Sequence, residues 1–105
     1  MRTFIWLISL LLLSSTGLAS ELDAGLAAYD KGDYAQAFQH WRPLAEHGNP
    51  VAQNNIGALY ESGMGVKKDE TKALDWYRKA AAQGNARAMT NVGLMYKHGL
   101  SLIHI

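Results

Sequence analysis

Apolar side chains recur along this chain at a helical interval. Between Asn49 and Gly63, Ala52, Ile56, Leu59 and Tyr60 fall at i, i+4, i+7 and i+8. At 3.6 residues per turn these positions form one stripe. Asn49-Pro50 supplies a helix start, because Asn accepts from free amides and Pro at the first position wastes none. Gly63 supplies the stop, where a positive φ is wanted. After the loop GMGVKK, Asp69 caps a second helix. Its apolar face is Ala73, Leu74, Tyr77, Ala80 and Ala81, and Gly84 ends it. Asp75 and Lys79 form an i, i+4 pair on its wet side. The pattern predicts two antiparallel helices with small residues where they touch.

The pattern then repeats. GNPVAQNNIGALYESG (Gly48 to Gly63) is followed at a constant lag by GNARAMTNVGLMYKHG (Gly84 to Gly99). Gly, Asn, Ala and Tyr coincide at Gly48/Gly84, Asn49/Asn85, Ala52/Ala88, Asn55/Asn91, Gly57/Gly93, Tyr60/Tyr96 and Gly63/Gly99. A lag of this size marks stacked helical units that bury their stripes against one another. The segment before Gly48 fits with a shorter loop. Tyr29 stands in for Tyr60, Gly32 closes the first helix and Asp33 caps the second. Ala37, Phe38, Trp41, Leu44 and Ala45 then match Ala73 to Ala81. Pro43 lies inside that second helix and removes the bond to the Gln39 carbonyl, so a kink is expected there. The units are a short first repeat over 22–48, a full repeat over 49–84 and the first helix of a third over 85–99. The expected fold is all-α, a solenoid of antiparallel helix pairs. The last helix offers Val92, Met95 and Tyr96 to no following helix, so fraying is expected beyond about Ala86.

Two segments read as lying outside the fold. Residues 1–19 carry Arg2, an apolar run from Phe4 to Leu13, and Gly17-Leu18-Ala19 at a cleavage position. That is the layout of a signal peptide, and the run is half the length of about 20 residues that a membrane span needs. Export to the periplasm or beyond the cell is expected, with no membrane attachment after cleavage. Residues 100–105, LSLIHI, are similar to a read-through of a transposase-end sequencing adaptor and are read as a non-native tail. The 105-residue chain has no cysteine, so neither disulfides nor thiolate chemistry can serve it. Of its 10 Lys plus Arg, Arg2 falls in the leader, which leaves nine against 9 Asp plus Glu. A neutral domain without a basic stripe argues against a nucleic-acid partner.

No catalytic, cofactor-binding or metal site is expected. Gly63-Met64-Gly65 lacks the Lys-Ser/Thr ending and the preceding strand of a phosphate loop. His40, His47, His98 and His104 show no i, i+4 zinc spacing. Trp41, Tyr29, Tyr60, Tyr77 and Tyr96 are assigned to the core, with Trp76 at the stripe's edge and partly wet. Glu61 and Asp75 are assigned to wet faces. Opposite the stripe of the middle repeat lie Asn54, Ala58 and Glu61, with Asn55 at its border. Thr90, Leu94, Lys97 and Asn91 are their equivalents. These eight residues are the candidate partner-binding face.

ALYESGMGVKKDETKALDWYRKAAAQGNARA resembles the Sel-one-like repeat family, relatives of tetratricopeptide repeats. The pattern runs through Ala52, Ile56-Gly57, Tyr60, Gly63, Gly65-Val66, Asp69, Lys72-Ala73, Trp76-Tyr77, Ala80-Ala81 and Gly84. The resemblance implies a right-handed α-solenoid whose first-of-pair helices line a concave side, and an adaptor for protein complexes in the bacterial envelope. Some cysteine-rich relatives are described as β-lactamase-like, but this chain lacks those cysteines. The competing readings are such an envelope enzyme, which a chromogenic β-lactam would reveal, and a spacer tethered by an uncleaved leader.

Overall fold

The computed structural model describes residues 20–99, so the leader and the tail inferred above lie outside the described residues. Five helices follow one another: α1 over 20–30 as described, α2 (Tyr34–Glu46), α3 (Pro50–Ser62), α4 (Glu70–Ala82) and α5 (Ala86–Lys97). There is no strand among the described residues.

The turns follow from local chemistry repeated along the chain. Asp33, Asn49, Asp69 and Asn85 each stand at a helix N-cap, accepting from the amides of Gln36, Ala52, Lys72 and Ala88. Each satisfies one of the orphan donors of a first turn. The helix ends are equally regular. Gly32, Gly48, Gly63 and Gly84 all have positive φ, and the next amide reaches back across the turn. Asp33 N donates to Ala28 O, Asn49 N to Leu44 O, Met64 N to Leu59 O and Asn85 N to Ala80 O, at 2.9–3.1 Å. At three of these four turns the residue after the glycine is itself the next N-cap, so a three-residue connection reverses the chain.

Helix α2 continues through Pro43 as far as Glu46. Proline falls in the final turn, and its carbonyl receives both the His47 amide (3.1 Å) and the His47 ring Nδ1 (2.7 Å). The longer loop before α4 has its own anchor. Gly65, at φ +72°, lies against the Tyr34–Ala35 backbone so closely that a Cβ would overlap it. The Asp69 amide closes the loop by donating to Tyr60 O at 2.9 Å.

The apolar stripes meet as expected. Ala37, Trp41, Leu44, Ala45, Ala52, Ile56 and Leu59 form one buried cluster together with Ala28, and Ala73, Leu74, Tyr77 and Met95 form a second. Tyr60 packs against both. Small residues let the helices approach. A Cβ on Gly25 would overlap the Trp41 indole, and one on Gly57 would stand 2.7 Å from the Tyr77 ring.

Two assignments of aromatic rings need correction. Tyr29 is 38% and Tyr96 45% exposed, so neither is a core residue. Tyr29 lies on the rim of the first unit, edge-on to Tyr34 at 5.0 Å and tilted against Trp41 at 6.0 Å. Tyr96 has α4 on one side, with the Arg78 guanidinium 5.5 Å over its ring. Trp76 is half-buried at the stripe's edge, with Lys79 Nζ 4.4 Å over it.

Candidate partner-binding face

The first helix of each unit contributes to one side of the stack. There α1 and α3 enclose a groove of about 520 Å³, with Leu22, Asp23, Leu26 and Tyr29 on one wall. Val51, Asn54, Asn55 and Ala58 form the other, Trp41 the floor, and Arg87 of α5 one end. Leu26 (52% exposed) and Val51 (48%) present unpaired apolar surface to it.

The eight residues placed opposite the stripes do not behave alike. Asn55 and Ala58 line the groove and are half-buried. Asn54 was assigned to the wet side, and this is corrected: it is 7% exposed. The neighbouring α5 covers it, and Asn91 Nδ2 donates to Asn54 Oδ1 at 2.9 Å. Glu61 is corrected too. Rather than facing water freely, it is half-buried and accepts the Tyr77 hydroxyl at 2.7 Å. Burial, followed by that hydrogen bond, pushes the Tyr77 phenol well above its ordinary range. Thr90 is exposed, with its hydroxyl donating back to Ala86 O at 3.1 Å. Thr90 and Asn91 line a shallow depression with Ala86 and Arg87 beyond the main groove. Leu94 (43% exposed) and Lys97 are open to solvent.

Sequence reasoning passed over Leu26, Val51 and Arg87. Val51 lies four residues before Asn55 and seven before Ala58, so it shares their face. An apolar residue there, outside the stripe, was the available signal. Gln53 was also missed. It is buried, donates to Ala45 O at 3.1 Å and accepts from Gln83 Nε2 at 2.8 Å, which joins the ends of α2 and α4 through α3. A polar side chain in the core persists when its bonding is satisfied in this way.

A second hollow of about 380 Å³ lies between α2 and the loop before α4, with Arg42, Lys67, Lys68 and Lys72 around it. Its charge is largely committed: Arg42 pairs with Glu46 at 2.8 Å, Lys68 lies 3.9 Å from Glu70, and Lys72 sits over the Tyr60 ring. His40 and His47 make structural contacts as well. His40 Nδ1 is bonded to Glu21 at 2.8 Å, tying α2 to α1, while His47 caps α2. No cluster of three metal-ligating side chains occurs among the described residues.

The sequence matches a family model, the Sel1 repeat, three times: over residues 16–49, 50–85 and 86–103. The chain belongs to the Sel1 repeat family. No curated protein and no solved structure matches it. Sel1 repeats are protein-interaction modules. Among the described residues, no helix is long and apolar enough to cross a membrane.

Proposed function

We propose that this Sel1 repeat chain is an exported, non-enzymatic adaptor of the bacterial envelope that holds a protein segment in the groove between α1 and α3. One observation carries this reading: the groove combines exposed apolar side chains, Leu26 and Val51, with the half-buried amide of Asn55 and the Arg87 cation. Apolar contact supplies affinity in such a setting, and the few polar groups fix orientation. Leu26 and Val51 leave about half of their own surface open to the groove.

The groove is tested with Val51→Glu, which places a charge in it at a position already half exposed. A protein partner bound by the native chain should be weakened at least tenfold by the substitution, a loss of about 1.4 kcal/mol, with the helical circular dichroism unchanged. Equal retention of that partner by both proteins rejects the groove as the binding site. Export is tested by N-terminal sequencing of protein recovered outside the cytoplasm. The expected first residue is Ser20, and an intact Met1 would support the tethered arrangement instead.

A further inference from the structure

The groove carries two formal charges, and the molecule answers neither. Asp23 stands on α1 and Arg87 on α5. Helix α3 lies between those two, enclosing the groove with α1 and bonded to α5 through Asn54 and Asn91. Asp23 and Arg87 are both exposed, and neither makes an ion pair or a side-chain hydrogen bond with another described residue. Glu21, two residues before Asp23, is by contrast taken by His40. Arg87 belongs to the groove through units that are complete: it borders a cleft of about 320 Å³ with Val51, Asn54 and Asn55 of α3.

Between the charges the surface is apolar. Leu26 and Val51 are about half exposed there, above the Trp41 indole at the floor. Asn55 is half-buried, and its side-chain amide bonds to no described residue. That leaves a donor and an acceptor for a backbone lying across it. The order across the stack is thus an anion, an apolar centre with an amide, and a cation. Helices in contact stand about 8–10 Å apart, so α1 to α5 across α3 is about 16–20 Å. An extended chain rises roughly 3.3 Å per residue and spans that in about five or six residues.

We propose that the groove selects an extended protein segment carrying a basic and an acidic side chain about five or six residues apart, with an apolar one between them. The basic side chain meets Asp23, the apolar one enters between Leu26 and Val51, and the acidic one meets Arg87 while the backbone pairs with Asn55. This rests on the groove being the binding site and adds what is bound there. The two unmet charges of opposite sign fix the choice. An all-acidic segment or a nucleic acid would set its own charge against Asp23, and an all-basic segment would do so against Arg87. A wholly apolar segment would desolvate both with no partner. Because Asp23 and Arg87 are exposed, the occupant can run out past each, so its charges are side chains rather than chain ends. Ion pairs at a wet rim are individually weak. They choose the partner and its register, while the apolar centre supplies the affinity.

The probe is a seven-residue peptide blocked at both ends, with lysine first, leucine fourth, glutamate seventh and serine or threonine between. It is titrated into the isotopically labelled 105-residue chain and followed by amide chemical shifts. Saturable shifts at Leu26, Val51, Asn55 and Arg87 are expected. Replacing the peptide's glutamate by glutamine should weaken binding about threefold. Arg87→Glu in the protein should weaken it about tenfold, since attraction becomes repulsion. That substitution suits the fold, because an acidic side chain is favoured in the first turn of α5. A peptide with lysine at both charged positions should recover the lost affinity on the Arg87→Glu protein, which separates a charge contact from damage to α5. Binding indifferent to these charge changes overturns the proposal and leaves the groove standing. The groove itself falls only if a protein partner ignores Val51→Glu. Absence of saturable peptide binding overturns the proposal too, as does tighter binding of a peptide that ends in a free carboxylate in place of the glutamate. Self-association of the chain without peptide, abolished by Arg87→Glu, also overturns it by making a second copy the occupant.

Discussion

Tyr77→Ala is expected to cost about 3–5 kcal/mol, as removal of a buried aromatic ring does. A domain of this size has only about 4–12 kcal/mol to lose, at roughly 0.05–0.15 kcal/mol per residue. The urea midpoint should therefore fall by about a quarter or more. The reason lies in where the ring sits. Tyr77 is 1% exposed, fills the space over Gly57 and belongs to the cluster that joins α4 to α5 through Met95. Its hydroxyl also ties α4 to Glu61 near the end of α3. Tyr77→Phe isolates that tie and should cost about 1 kcal/mol, the worth of an ordinary hydrogen bond at a part-buried site.

The same pair of variants has a signature in pH. The folded state raises the Tyr77 pKa, chiefly by burial and next by the bond to Glu61. Unfolded tyrosine titrates at an ordinary value of 10.0. Above that pH the unfolded chain gives up a proton that the native chain keeps, so the unfolded state is favoured. The contribution is complete below pH 10 and is lost as pH climbs toward the folded value, at up to about 1.4 kcal/mol per unit. Native stability should fall more steeply above pH 10 than that of Tyr77→Phe. Parallel curves for the two proteins would show that the phenol is not held protonated by the fold.

Much of this architecture is readable before any coordinates, because it is local. Asn49, Asp69 and Asn85 cap the helices that follow them, and Gly32, Gly48, Gly63 and Gly84 turn the chain where a positive φ is needed. A cap needs only three residues of context, and a stripe needs one helix. The binding face is different. Asn54 reads as outward on α3 alone, but its environment is set by Asn91, 37 residues away. Glu61 reads as a wet carboxylate until Tyr77, 16 residues on, reaches it. Tyr29 reads as core by analogy with Tyr60. The first unit lacks the long loop whose Met64 and Val66 pack, like Tyr60, against the core cluster, and Tyr29 is left on the rim. Leu26 and Val51 fall off the periodic stripe altogether. Residues that face a groove rather than a neighbouring helix leave no period to detect.

The glycines give the sharpest test of the stacking, because two identical residues one repeat apart should respond with opposite signs. Gly57→Ala must place a methyl group 2.7 Å from two Tyr77 ring atoms and 3.2 Å from the Ala73 carbonyl oxygen. The ring cannot easily retreat, being buried on all sides and bonded through its hydroxyl to Glu61. Overpacking of this kind costs about 1–3 kcal/mol, against roughly 1 kcal/mol recovered from the better helix propensity of alanine. A net loss of up to about 2 kcal/mol is expected. Gly93→Ala makes the same chemical change on α5 with nothing among the described residues within 4 Å, so only the propensity remains, a gain of about 0.5–1 kcal/mol. Urea midpoints moving in the same direction for both variants would contradict the assignment of Gly57 to a filled slot and Gly93 to an open one. The mechanism can be separated from the magnitude by repeating Gly57→Ala beside Tyr77→Leu, which leaves a smaller, flexible side chain in the slot. Two residues in contact should be strongly non-additive: with the rigid ring gone the added methyl has room, and the penalty at residue 57 should shrink toward zero or reverse.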